Sequence, residues 1–157
     1  MGFPGYKSLG VDLAAVQTAA QLTADGPTHK LGTRVSDDVG NEFVYVQANG
    51  AIAAPEIVEI VAGYDVVVTG AAAGSAWAVA RGTTIPDNGA GWVQVKGIVD
   101  ADAVAGVGAA GELLARTTSA AGHLQELHAT GAALGDSAAF AISLEAAAST
   151  VASIYIF

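Results

Sequence analysis

Apolar and polar residues alternate along much of the chain with a period of two. Residues 42–47 place aromatic side chains on one face and valines on the other, and residues 91–97 alternate strictly. In the second segment Val93 and Val95 share a face, whereas Trp92 lies on the opposite one. A period of two is typical of a strand whose two faces meet different surroundings, so both segments are predicted to be β-strands.

Short β-branched and apolar runs, bounded by Gly, Pro, Asn and Asp, predict the remaining strands. These runs are residues 31–35, 56–60, 65–69, 76–80, 112–116, 123–127, 140–144 and 153–157. Turn residues 36–41 connect the first run to residues 42–47 as a hairpin. The spacers are too short for repeated helical crossovers, so we predict an all-β fold, a small closed or partly open β-barrel. The final run of strand formers is expected to be packed in the sheet.

The first 30 residues differ from the rest and are predicted to form an arm ahead of a barrel domain at 31–157. Asp12 is the expected N-cap of a short helix over Leu13–Ala24, and Gly26-Pro27 ends it. The apolar stripe of this helix is narrow, so the helix needs a neighbour to be stable. That neighbour is either a partner protein or the chain's own barrel, and the sequence leaves both alternatives open.

The amino-acid composition disfavours several classes of function for this chain. Of the 157 residues, 52% are apolar and only 13% are charged. So low a charged fraction indicates either a surface partly covered by copies of the chain or by a partner, or a compositional bias towards Ala. A net charge of −9 without any basic run disfavours nucleic-acid binding. The absence of Cys excludes disulfides and thiolate chemistry, and no apolar run has the length of a membrane helix or the pattern of a signal peptide.

Two motifs suggest ligand binding but have simpler explanations. Gly106–Gly111 matches the GxGxxG pattern of dinucleotide-binding loops, yet it lacks the flanking strand and helix that such a site requires. The cluster Asp37–Glu42 offers oxygen ligands for calcium, but its spacing is that of a polar hairpin turn rather than of an EF-hand loop. Asp100 and Asp102 are explained in the same way, as residues of a polar connection.

Candidates for catalysis are equally weak. The three histidines, His29, His123 and His128, are dispersed along the chain and are expected to be solvated. The segment 74–76 lacks the second glycine of a nucleophile elbow. Trp77 and Trp92 are expected to pack in the core or at a subunit interface. We therefore predict no enzymatic activity, no cofactor and no metal.

Several segments, taken in order, resemble a known family. They are Leu31–Val35, Gly40–Gln47, Gly50–Ala54, Gly91–Gly97, Ile142–Ala147 and the terminal strand. From residue 31 to residue 157 the chain resembles the capsid decoration (cement) proteins of tailed bacteriophages, in particular the small β-tulip type. The resemblance implies a homotrimer that binds the major capsid protein on the outside of the phage head and stabilises the expanded shell.

The resemblance also implies where the protein acts. Such a protein is made in the host cytoplasm and then lies on the outer capsid surface of the virion, without a nucleic-acid or membrane partner. The N-terminal segments of the family often reach onto the capsid, so we expect capsid contacts from Phe3, Pro4, Tyr6 and Leu9. The alternative is a trimeric fibre-head or adhesin-type binding module on a virion or cell surface, which shares the all-β, low-charge profile.

Overall fold

Strands dominate the structure, as the alternation predicts. The computed structural model describes residues 7–8, 10–69, 76–103, 109–116, 121–126, 141–145 and 150–157. The strands among these residues are β1 (Lys7–Ser8), β2 (Val11–Asp12), β3 (Arg34–Ser36), β4 (Glu42–Ala48), β5 (Ile57–Ile60), β6 (Asp65–Val68), β7 (Ala76–Ala80), β8 (Ala90–Asp102), β9 (Leu113–Arg116), β10 (Leu124–Glu126), β11 (Ala141–Ser143) and β12 (Val151–Ile156). One helix, α1 (Ala19–Asp25), and a 3-10 turn at Ala62–Tyr64 complete the regular elements of the described residues.

A ten-stranded sheet contains most of the described strands, in the order β10-β9-β11-β12-β8-β7-β5-β6-β4-β3. An additional pairing of β4 with β8 joins β4, β8, β7, β5 and β6 into a ring of five strands. The β4–β6 pair is parallel, and the other pairs of the ring are antiparallel. The predicted all-β fold is therefore confirmed, and the ring is its closed part.

Strand β8 forms the two longest strand pairings of the sheet. Its first half pairs with β4 and its second half with β12, through six residue pairs from Gly97–Ile156 to Asp102–Val151. The C-terminal strand β12 thus lies between β8 and β11 in the interior of the sheet. This confirms the expectation of a packed strand at the end of the chain.

Buried side chains on the inner side of β8 belong to two apolar clusters. Val93 is part of a cluster inside the ring, whereas Val99 and Ala101 belong to a second cluster under β9, β11 and β12. The alternation of β8 holds through both clusters, because residues 93, 99 and 101 all point inward. Every second residue of β8 therefore lies on the opposite, outer side of the sheet.

The predicted helix begins too early. It was expected over Leu13–Ala24 with Asp12 as N-cap, but α1 spans Ala19–Asp25 and its N-cap is Thr18. The Thr18 hydroxyl accepts from the Gln21 backbone N–H, and the Gln21 side chain accepts from the Thr18 N–H, which is a complete capping box. Asp12 instead accepts from the Ala14 N–H at 3.0 Å, directly after its pairing in β2. The helix ends at Gly26, as predicted.

The strand predicted at Leu31–Val35 also begins later, at Arg34. Gly32 has a φ of +84°, and a Cβ there would lie 2.3 Å from the Tyr64 ring. Residues 31–32 form a turn, which the hydrogen bond from the Thr33 N–H to the Lys30 carbonyl oxygen closes at 2.9 Å. The predicted hairpin is nevertheless confirmed, since β3 pairs with β4 in antiparallel register.

Candidate interaction surface

An apolar row crosses four neighbouring strands on the outer side of the sheet. The register places Ile98 of β8 opposite Tyr155 of β12, Tyr155 opposite Ile142 of β11, and Ile142 opposite Leu113 of β9. Residues that lie directly opposite one another in antiparallel strands share a face and bring their Cβ atoms to about 4.5–5.5 Å. The four side chains therefore form one continuous line across the sheet.

Among the described residues, the side chains of this row are largely exposed. Ile98 is 55% exposed, Leu113 45% and Tyr155 38%, and Ile142 is partly buried. Three further exposed apolar residues flank it, namely Leu144, Val151 and Phe157. We call these seven residues the apolar face. Isolated exposed apolar residues are normal, but a contiguous set is typical of a surface that binds another molecule.

Charged residues border the apolar face along β8. Asp100 and Asp102 lie in strand β8 and not in the polar connection predicted for them, because both pair with β12. Lys96 precedes Ile98 by two residues, and the two aspartates follow at positions of the same parity, so all four lie on the outer side. Lys96 contacts Glu42 through its Nζ atom at 3.4 Å, and its side chain remains 47% exposed. The face therefore has the Lys96–Glu42 ion pair at one end and the acidic residues Asp100 and Asp102 at the other.

Ile98 and Tyr155 also line an open cleft of about 940 Å³. Its opposite wall is formed by the turn at 39–41 and by the loops at 54–55 and 81–82. The Asn41 Oδ1 atom accepts from the Ile98 N–H at 3.0 Å, so the turn is directly bonded to the strand that carries the apolar row.

A buried glutamine shapes β8 beside this bond. Gln94 is fully buried, and its Nε2 atom donates to the carbonyl oxygens of Lys96 and Ile98 at 3.0 Å each. Its Oε1 atom accepts from Arg81 at 3.1 Å. Gly97, between the two carbonyls, has a φ of +99°, which an L side chain rarely adopts. The glutamine thus holds the left-handed residue that directs Ile98 outward.

The Asp37–Glu42 cluster is a turn, as the favoured explanation has it. The Asp37 carboxylate accepts from the Asn41 N–H at 2.8 Å, from the Asn41 amide at 2.7 Å and from the Val39 N–H at 3.1 Å. The Glu42 carboxylate forms an ion pair with Lys96. Within the described parts of the chain, no three His, Asp or Glu side chains are grouped as a metal ion requires.

The outer side of the first half of β8 is covered, in contrast to the second half. Trp92 is 3% exposed and packs with Phe43, Tyr45 and Ala90. The residues that cover this cluster come from the N-terminal segment and the start of the first hairpin: Val11, Leu13, Leu22, Leu31 and Val35. Of the two alternatives for the arm, the described residues 10–30 thus follow the second, since they pack on the chain's own sheet.

Gln17 fastens this segment to the sheet. Its backbone exchanges two hydrogen bonds with Ala90, at 2.8 and 2.9 Å. Its side-chain Oε1 atom accepts from the Tyr45 hydroxyl at 2.6 Å and from the Thr28 N–H at 2.7 Å. Burial raises the pKa of the Tyr45 hydroxyl, while a hydrogen bond with the Thr28 side chain acts in the opposite direction.

The histidine and tryptophan expectations have different outcomes. His29 is not simply solvated, because its ring lies 5.2 Å from the ring centroids of both Tyr45 and Trp92. His123 is partly buried, with its Nδ1 atom 2.8 Å from the Ala121 carbonyl oxygen. The prediction of packed tryptophans is confirmed, since Trp77 lies against the inner cluster under β12.

Several predicted candidates lie outside the described residues. These are the expected capsid contacts Phe3, Pro4, Tyr6 and Leu9, together with His128, residues 74–75 and the first part of Gly106–Gly111. The apolar row, by contrast, was not predicted as a site. Its sequence signal is the unbroken apolar run Ile154–Phe157, which leaves apolar side chains on both faces of one strand.

Among the described residues, no helix is long and apolar enough to cross a membrane. No protein-family model matches the sequence, and no curated protein matches it.

Proposed function

We propose that the protein is a capsid decoration protein of a tailed bacteriophage, a structural component without enzymatic activity. The observation that supports this most directly is the apolar face, whose described side chains are exposed. Large exposed apolar patches occur on surfaces that bind other macromolecules, and a decoration protein acts through such contacts alone. The order of motifs from residue 31 to residue 157 supplies the resemblance to this family.

In this proposal the protein binds the outer surface of the head as a homotrimer and stabilises the expanded shell. Three copies that engage the major capsid protein together bind by avidity, so each individual contact is weak. Phe3, Pro4, Tyr6 and Leu9 make part of the contact with the capsid. Residues 10–30 are packed on the sheet and anchor this segment to the body of the protein. The net charge of −9 disfavours contact with packaged DNA.

Co-sedimentation with phage heads tests the proposal. Purified protein is mixed with expanded heads that lack it and, separately, with unexpanded shells, and bound protein is measured after centrifugation. We expect saturable binding to expanded heads in multiples of three copies, and no binding to unexpanded shells. A matched variant without residues 1–9 should bind the expanded heads at least about ten-fold more weakly.

Two results contradict the proposal. Equal binding to both kinds of shell would exclude recognition of the expanded state. Binding to immobilised glycans, without binding to any head, would instead support the fibre-head or adhesin-type module.

A further inference from the structure

The apolar face has the size of an interface between two copies of a small protein. The exposed fractions of its six most exposed apolar residues add up to nearly three whole large side chains. At about 150–250 Å² for each, this corresponds to roughly 400–700 Å² of apolar surface. A standard interface covers about 800 Å² of each partner, and in homodimers about 65% of that area is apolar, or roughly 500 Å².

The charges beside the face are complementary to themselves. Lys96 and Asp100 are four residues apart on the outer side of β8, with Ile98 between them. At about 3.3 Å of rise per residue, the two charges lie about 13 Å apart along the strand. When a second copy packs against Ile98 in the reverse direction, Lys96 of each copy lies opposite Asp100 of the other. A head-to-tail arrangement in a ring pairs the same two ends.

This order of charges favours a second copy over a partner that merely complements the whole molecule. With 15 acidic and 6 basic residues, the chain as a whole attracts basic partners and repels its own copies. Lys96 is a cation next to the apolar face. Its Nζ atom contacts Glu42 at 3.4 Å, and because so exposed an ion pair is weak, the half-exposed lysine can also pair with a carboxylate of a second copy. A uniformly basic partner would gain nothing from this lysine.

We propose that the apolar face is the surface through which copies of this chain bind one another, with Lys96 of one copy paired to Asp100 of the next. This inference rests on the proposed function only for the expected number of copies, three. Self-association through the face is a property of the purified protein and does not require a capsid.

Sedimentation analysis of the full-length protein over a range of concentrations tests the inference. Ile98→Asp places a charge in the centre of the face at a side chain that is 55% exposed, so folding of the single chain should be unaffected. Ala62→Asp, at an exposed position of the 3-10 turn, is the matched control. We expect the wild type and the control to form the same oligomer, and Ile98→Asp to raise the dissociation constant at least about ten-fold. Circular dichroism checks that the variant keeps its strand content.

A charge exchange tests the pairing itself. Lys96→Asp and Asp100→Lys should each weaken association. The double variant should restore part of it, because the exchanged charges again meet as opposites while the pair of Lys96 with Glu42 stays lost. A monomeric wild type, or variants that associate as well as the wild type, would overturn the inference. So would an Ile98→Asp variant that loses head binding but keeps its oligomeric state, since the face would then contact the capsid. A dimer that depends on the face supports the inference and contradicts only the trimer of the proposed function.

Discussion

Replacing Gly97 with alanine tests how the sheet positions the apolar face. The φ of this residue is +99°, and a Cβ atom added to it would lie 2.0 Å from Asn41 Oδ1. The backbone strain of a side chain in this region amounts to about 1–3 kcal/mol. Asn41 would also have to move, and the partly buried Ile98 N–H would lose its acceptor, which adds at most about 1–3 kcal/mol.

Gly50→Ala separates the two contributions. Gly50 has nearly the same φ, +101°, but nothing lies within 4 Å of the Cβ position. Equilibrium unfolding in urea should therefore show Gly50→Ala less stable than the wild type by about 1–3 kcal/mol. Gly97→Ala should lose more than the control, by at most about 1–3 kcal/mol, for the displaced acceptor.

Equal destabilisation by the two substitutions would refute this reasoning, because it would mean that the Asn41 contact contributes nothing. A double variant, Asn41→Ala with Gly97→Ala, gives a second check. Removing the asparagine relieves the close contact, so the double variant should be more stable than the sum of the two single losses indicates.

Three further predictions concern the covered half of β8. Trp92→Phe should lower the unfolding free energy by less than about 1.5 kcal/mol, whereas Trp92→Ala should lower it by about 3–5 kcal/mol. The loss for phenylalanine is small because the Trp92 Nε1 atom has no hydrogen-bond partner among the described residues, so only ring volume is lost. Unfolding in urea compares the two variants. Burial raises the pKa of Tyr45, so the unfolded state releases this proton first. The contribution of Tyr45 to stability should therefore be constant below about pH 10 and be lost as the pH rises towards the folded-state pKa. Thermal melts at each pH should show that Tyr45→Phe removes this part of the alkaline loss. Deleting residues 1–9 should leave the melting temperature unchanged while head binding weakens at least about ten-fold. Deleting residues 1–27 should lower the melting temperature and shift tryptophan fluorescence to the red, because Leu13 and Leu22 no longer pack on the cluster that contains Trp92.

Local patterns were sufficient for most strands. Glu42–Ala48 and Ala90–Asp102 contain the two segments with the clearest alternation, and the turn at 36–41 was predicted from its polar residues. The sequence contains a signal for the start of the helix, since Thr18 and Gln21 have the spacing of a capping box. Asp12 is also a favourable cap, and the competing pairing of Val11–Asp12 with β1 is not visible in the local pattern.

The sequence by itself determined the all-β class, the approximate positions of the strands and the packed end of the chain, because side-chain alternation and turn residues act over only a few neighbours. Only the tertiary structure decided that the outer side of β8 is covered at Trp92 and open at Ile98. The two residues have the same parity on one strand, and their surroundings differ because residues 10–30 pack over one half of it while β12, β11 and β9 extend beside the other. Which distant segment lies over a strand depends on pairings between residues far apart in the chain, and alternation along one strand carries no information about those pairings.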